Sequence, residues 1–309
     1  MTTALFTHLA CLDHVTPDGH PESPERLRAV LQALKDPAFD ALARGECPRA
    51  EADALALVHP RHFVRHVLDN VPAKGLKSID GDTTLSPGSG EAALRASGGV
   101  IAAVDAVMTG EAKTAFAAVR PPGHHAEPGA AMGFCVFNNV AVAAHHARAR
   151  HNLRRIAVVD FDVHHGNGTQ AAFERDADLF FASTHQWPLY PGTGLPQERG
   201  VAGNIVNVPL PPRTGSDGFR EAFELGVLGA LDSFGPELIL ISAGFDAHAA
   251  DPLADLRLTE ADFAWATMRV CDLAAEHCGG RVVSTLEGGY DLDALAASAA
   301  AHVKALMAA

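Results

Sequence analysis

RRIAVVDFDVHHGNGTQ, residues 154–170, begins basic, runs through Ile156-Ala157-Val158-Val159 and ends among two aspartates, two histidines and glycine. A short β-branched run closed by Gly predicts a fully buried strand of a parallel sheet. Side chains alternate along a strand, so Asp160, Asp162 and His164 are expected on one face. Two carboxylates and an imidazole there are costly to bury unless they hold a cation. The Asp-x-His pair therefore reads as two ligands of a metal site. A bland alternative, with His164 capping a loop and Asp160 a helix N-terminus, is equally good on these residues alone. The decision falls to the segments around them.

Upstream, 114–119 (TAFAAV) predicts a second buried strand, ending in Arg120-Pro121-Pro122-Gly123-His124-His125. The prolines fix the backbone and the glycine permits a tight turn, so the two imidazoles are held in place. A loop with Gly129, Gly133, Phe134 and Cys135 and a helix over 138–150 lead back to the quoted stretch. Downstream come a strand over 179–184, a loop with Trp187, Tyr190 and Pro191-Gly192-Thr193-Gly194, and a short strand over 205–208. A helix over 217–234 precedes the strand 237–242 (ELILIS), which ends in Ala243-Gly244-Phe245-Asp246-Ala247-His248. The helix over 259–278 has Thr259 as N-cap with Asp262 three residues on, an approximate capping box. The last strand, 281–286, ends in Glu287-Gly288-Gly289-Tyr290, before a C-terminal helix.

The first hundred residues say less. A strand over 3–9 leads into a polar loop, and Ser23-Pro24-Glu25-Arg26 opens a helix with Pro at its first position. Arg26 reads equally as a solvated helix residue or as a pocket lining. His59, His62 and His66, in a helix over 57–68, read as surface histidines rather than metal ligands. Asp80 and Asp82, in the turn-rich loop 79–90, read as exposed rather than as a grip on a substrate backbone. An Ala-rich amphipathic helix follows over 91–108.

Strands alternating with helices predict one α/β domain over residues 1–309, a mostly parallel sheet with helices on both faces. Ligands of such sheets bind beyond the carboxyl ends of the strands. Four strands here end in unusual polar residues: His124-His125, Asp160/Asp162/His164, Asp246 and Tyr290. That convergence favours the metal site. The formal net charge of −13 argues against nucleic-acid binding, which needs basic surface, and mildly favours cationic substrates. No apolar run is read as long enough to span a bilayer and no leader follows Met1, so no membrane is expected. Cys11, Cys47, Cys135, Cys271 and Cys278 form no CxxC pair or disulfide spacing, which fits a reducing cytoplasm.

Asp162, His164 and Asp246 supply three ligands and leave positions open for water and substrate, as in a catalytic metal site. An N/O set fits Zn²⁺, with Fe²⁺ or Co²⁺ as alternatives; Asp246 read by itself is also a helix cap. Such a metal acidifies bound water from 15.7 to about 7. His124 and His125 are placed to take and return the proton, with Asp160 and Asn167 as candidates to fix their tautomers. Tyr290 can donate to a polarised carbonyl oxygen, with a core tyrosine as the alternative.

RPPGHHA (120–126), GFCVFNN (133–139), VDFDVHHGNGTQ (159–170), SAGFDAH (242–248), DPL (251–253) and EGGY (287–290) resemble the histone deacetylase family, above all its class II and bacterial amidohydrolase members. The resemblance runs from about residue 13 to the last helix. It implies an arginase/deacetylase-type open α/β fold with about eight strands, hydrolysing an ε-acetyl-lysine-like amide. It implies Asp162, His164 and Asp246 as Zn²⁺ ligands, His125 as general base and acid, His124 with Asp160 as its electrostatic partner, and Tyr290 as carbonyl polariser. Gly133, Phe134 and Tyr190 would line a narrow tunnel for the aliphatic part of the substrate. A structural K⁺ would use Asp160, Asp162, His164, Ser183 and Thr184, and a second K⁺ would match Phe173, Asp176, Leu179 and Asn204. Asn167 stands where class I members carry Asp, and Tyr190 where Phe is usual.

The expected function is a metal-dependent deacylase of lysine side chains. An acetylpolyamine amidohydrolase is the enzymatic alternative, against which Leu253, an apolar residue at the tunnel mouth, argues; Asp251 and Asp255 nearby blunt that. A catalytically inactive acyl-lysine binding protein is the alternative of another class. Short loops leave the mouth open or leave it to be covered by a second subunit, so a homo-oligomer stays open.

Overall fold

In the computed structural model, which describes residues 2–309, the apolar runs form a sheet of eight strands, all of them parallel. In chain order, β1 (Thr3–Thr7) is followed by α1 (Pro24–Ala33), β2 (Ala43–Glu46), α2 (Ala52–Leu55) and α3 (Arg61–Asp69). A two-residue antiparallel pair apart from the main sheet, β3 (Lys77–Ser78) and β4 (Thr84–Leu85), precedes α4 (Ser89–Thr109). The repeating part is β5 (Thr114–Ala117), α5 (Asn139–His151), β6 (Ile156–Asp160), α6 (Asn167–Phe173), β7 (Leu179–Gln186) and β8 (Ile205–Leu210). Then come α7 (Ser216–Ala222), a π-helical turn (Phe223–Leu228), α8 (Gly229–Phe234), β9 (Leu238–Ala243), α9 (Glu260–Cys278), β10 (Val282–Leu286) and α10 (Leu292–Ala308).

The strand order β2-β1-β5-β10-β9-β6-β7-β8 places β5, β10, β9 and β6 side by side at the centre. These are the four strands whose ends carry the unusual polar residues. All four are buried along their length, as apolar runs without alternation require when both faces are covered. Helices α1 and α9 both pack on α10, and α4 packs on α5; both groups lie against β5 and β9, so they cover opposite faces.

Several boundaries differ from expectation, each for a local reason. Helix α3 begins at Arg61 rather than at residue 57, because Pro60 is its N-cap and the residue before a proline is pushed out of helical geometry. Strand β2 (ARGE) was not foreseen: it is an edge strand paired only to β1 and mostly exposed, so it carries no apolar signal. The π-helical turn interrupts what the periodicity reads as one helix over 217–234. Helix α4, at 21 residues, is long and apolar enough to cross a membrane, which corrects the reading that no such stretch exists; 67% of its apolar window is buried inside the fold. Thr259 and Asp262 form the capping box expected of α9.

Candidate active site

Strand β6 ends at Asp160, so Asp162 and His164 lie in the following loop and the shared strand face is not what unites them. Asp160 Oδ1 accepts from the Asp162 N–H (3.1 Å), and Asp162 Oδ1 accepts from the His164 N–H (2.9 Å). Two successive Asx turns thus replace strand alternation and carry the same every-second-residue spacing. From the neighbouring β9 end, Asp246 Oδ1 accepts from the Val163 N–H at 2.8 Å. His164 Nδ1 lies 3.1 Å from both Asp162 Oδ1 and Asp246 Oδ2. All three residues are buried and their ligand atoms lie within 4.8 Å of one another.

The surroundings are built to hold these carboxylates. Gly288 donates its N–H to Asp162 Oδ2 at 2.8 Å. A Cβ at Gly244 would fall on Asp162, and one at Gly288 on both Asp246 and Asp162, so the backbone approaches more closely than any side chain permits. Burial first, and then the charge of Asp162, push the Asp246 carboxyl up to about 7. Burial likewise pushes Glu287 up to about 7, despite the His124 charge that favours its ionised form. Carboxylates gathered this closely without solvent are costly to keep ionised, a cost a divalent cation would relieve. The donor set, two carboxylates and an imidazole with no thiol, fits zinc or iron.

His124 and His125, held after β5, differ sharply. His124 Nδ1 lies 3.0 Å from Asp160 Oδ2, and its Nε2 lies 3.7 Å from Asp162. Burial opposes charge on this ring, but the Asp162 and Asp160 carboxylates outweigh it and hold the imidazolium well above the usual histidine range. His125 is instead driven well below that range by burial and by the charges of His124 and His164. Its Nδ1 donates to Asn167 Oδ1 at 2.8 Å, while Asn167 Nδ2 donates to Glu127 Oε1 at 2.9 Å, which fixes the amide's orientation. With the proton on Nδ1, His125 Nε2 is left as the acceptor.

Above these groups a cavity of about 210 Å³ is lined by Asp82, His125, Gly133, Phe134, His164, Leu189, Tyr190, Leu253 and Tyr290. Gly133 and Phe134 both adopt positive φ (56° and 67°), which strains the Phe at the cavity wall. A Cβ at Gly133 would strike the His125 ring. The two turn N–H groups are anchored by Asp82 Oδ1 (2.9 Å) and Thr83 Oγ1 (3.1 Å). Asp80 is exposed but Asp82 is not, so exposure was the wrong expectation for Asp82: its carboxylate is part of the wall.

For Arg26, left open between a solvated helix residue and a pocket lining, the solvated reading falls away. It is fully buried, its guanidinium 4.8 Å from the centre of the Tyr290 ring, donating to the carbonyls of Gly289 and Glu287. Glu22 bridges Arg26 to Arg120, itself fully buried and donating to the carbonyls of Cys11 and His14. Asp251 Oδ2 accepts the Tyr290 N–H at 2.7 Å, and its Oδ1 the Leu253 N–H at 2.9 Å. Glu287 Oε2 accepts from Gly123 and His124 N–H, linking β10 to the histidine turn. Glu22, Asp251 and Glu287 are supports the sequence reading did not assign.

His62 and His66 are exposed, but His59 is buried, bonded to Pro128 O and to the Asn138 N–H. It is a core histidine, neither a surface residue nor a ligand. Asp160 and Ser183 are register partners on β6 and β7. The Ser183 hydroxyl lies 2.9 Å from His185 Nδ1, and the Thr184 hydroxyl is buried without a partner. The carbonyls of Phe173, Asp176 and Leu179, expected with Asn204 around a second K⁺, lie 3.0, 3.1 and 2.7 Å from Asn204 Nδ2.

The histone deacetylase domain family matches residues 20–306. The chain is 44% identical over 278 residues to the histone deacetylase-like amidohydrolase of Pseudomonas aeruginosa, covering 88% of this chain and 73% of that protein. It is 41% identical over 310 residues to histone deacetylase 10, chloroplastic, of Oryza sativa subsp. japonica, covering 94% and 70%. The crystal structure of the HDA15 HD domain superposes with a TM-score of 0.93 at 36% identity, covering 99% of this chain and 88% of that one. A buried trio of ligating side chains at the floor of a tunnel, with two histidines of opposed character beside it, thus sits in a chain that belongs to the histone deacetylase family and is a hydrolase that deacetylates amides.

Proposed function

We propose that the chain is a zinc-dependent hydrolase removing acetyl or other short acyl groups from lysine side chains of peptides or proteins. The observation that carries this is the buried Asp162–His164–Asp246 trio, three ligand atoms mutually within 4.8 Å, beside the cavity of about 210 Å³ that His164 also lines. Asp162, His164 and Asp246 would hold the ion. Zinc, when bound, supplies Lewis-acid polarisation of the amide carbonyl and acidifies water at neutral pH.

The chain's own residues do the rest. His125, neutral with Nε2 free, accepts the proton of the attacking water and returns it to the leaving amine. His124, charged between Asp160 and Asp162, supplies positive potential beside it. Tyr290 donates a hydrogen bond to the carbonyl oxygen as negative charge develops there; burial keeps its hydroxyl protonated, well above the usual tyrosine range. Gly133, Phe134, Tyr190 and Leu253 exclude water around the alkyl stem. A K⁺ held by Asp160, Asp162, His164, Ser183 and Thr184 would brace the β6 and β7 ends.

Leu253 in the wall favours a lysine carrier. The Asp82 carboxylate, in the same wall, favours the second reading, an acylated polyamine whose ammonium it could meet. Acetate release from an acetyl-lysine peptide and from acetylputrescine, before and after chelation and with zinc restored, tests both. Activity on the peptide that chelator abolishes and zinc restores supports the proposal. Chelator-insensitive release overturns the metal assignment, and a preference for acetylputrescine overturns the lysine carrier.

A further inference from the structure

Among the described residues, three groups of ligating side chains besides the trio come close enough to hold a metal. His124, Cys135 and Glu287 are buried and include the His124 and Glu287 already placed in the active site, and Asp232, Glu276 and His277 are all exposed. The remaining group, Asp105, His146 and His151, lies outside the catalytic apparatus. We propose that it is a second divalent-metal site, of the zinc, nickel, cobalt and copper class, joining the C-terminal turns of α4 and α5.

The donors converge on one point from two helices. His146 Nε2 and His151 Nε2 lie 2.8 and 2.7 Å from the same atom, Asp105 Oδ1. The two rings are 6.0 Å apart at 74°, so they meet the carboxylate edge-on rather than stacked. Bonds of about 2.0–2.1 Å to a tetrahedral ion set the donors roughly 3.3 Å apart. Opening the cluster by about half an ångström, within side-chain adjustment, admits the ion. Two imidazoles and one carboxylate suit borderline transition metals rather than Mg²⁺ or Ca²⁺, which require more oxygen.

Two further features favour a cation. Asp105 lies in the last turns of α4, and His151 is the last residue of α5. Each helix terminus carries partial negative charge, against which an acid is misplaced and a cation well placed. The imidazoles are 17% exposed and the carboxylate 43%. The donors are therefore held by packing on helices, while one side stays open to the water that would complete the coordination. Donors on packed helices need little ordering to bind.

Zinc counted by elemental analysis, after loading the full chain and dialysing it against metal-free buffer, tests the site. Two equivalents are expected in the wild-type protein, and one in the His146→Ala/His151→Ala variant with acetate release unchanged. Asp246→Asn should keep one equivalent and lose activity, which separates this site from the catalytic one. Asp105→Asn, which keeps an acceptor for both imidazoles, covers the case in which the double variant does not fold; it too should hold one equivalent. The proposal is overturned if wild-type protein and the Asp105 and histidine variants hold the same number. A single equivalent that the histidine variant loses supports this site and refutes the catalytic one.

Discussion

Glu22 is the support most open to a quantitative test. It is fully buried, receives two donors from Arg120 and one from Arg26, and has His14 within 3.6 Å. Burial alone would raise its carboxyl, but the Arg120 charge and hydrogen bonds outweigh it and hold the group at about 2 against an ordinary 4.5. At about 1.4 kcal/mol per pH unit, the ionised form therefore stabilises the fold by roughly 3 kcal/mol. Because the folded value is the lower one, this contribution is complete above pH 4.5 and lost as the pH falls towards 2. Glu22→Gln keeps the volume and leaves two guanidinium groups buried without a carboxylate. The expected cost is about 3–5 kcal/mol, a large part of a total stability of about 5–15 kcal/mol, with melting lower by on the order of 10 °C. Urea unfolding at pH 7 measures the cost, and repeating it at pH 3.5 shows whether the variant loses less than the wild type on acidification. A change below about 1 kcal/mol at pH 7 would refute the reasoning. Turnover should fall as well, since Arg26 holds the Gly289 and Glu287 carbonyls beside Tyr290.

Tyr290→Phe should retain metal and lose on the order of 10²–10³ in kcat; full activity contradicts the role proposed for it. Asn167→Asp puts a carboxylate on His125 Nδ1, so the acidic limb of the kcat/KM profile should move to higher pH by about one unit, and an unmoved limb would show that His125 does not set it. His302 is buried between Thr267 and Ser284, and burial drives it down to about 3. Below pH 6.5 the unfolded chain takes up a proton that the folded one refuses. His302→Gln should therefore lose about 2 kcal/mol less stability than the wild type between pH 6.5 and pH 5; equal losses would count against it.

What the sequence made legible follows from range. The central strands are mostly apolar runs, buried along their length, that end at conspicuous charged residues or glycine. The two-residue spacing of Asp160, Asp162 and His164 looks the same in sequence whether strand pleating or Asx turns produce it, and here the turns do. His59 reads wrongly as a surface residue, and Arg26 stays open between two readings, because what buries each of them is remote. Arg26 meets Gly289 across 263 positions, and His59 meets Asn138 across 79. Local composition cannot distinguish a helix arginine with such partners from a solvated one. Asp82 was misjudged similarly, since its place in the wall is set by the Gly133 N–H, 51 positions on.

The Asx ladder after β6 also sets a timetable. Asp160, Asp162 and His164 bond to one another within five residues, whereas Asp246 comes from 82 positions beyond His164, on the loop after β9, which pairs with β6. A nascent chain halted before β9 presents a half-built socket, with two donors in register and the third unmade. On the proposed metal reading, a complete donor set would exist only after β9 and β6 pair at the middle of the sheet, so the site could be armed only by folding.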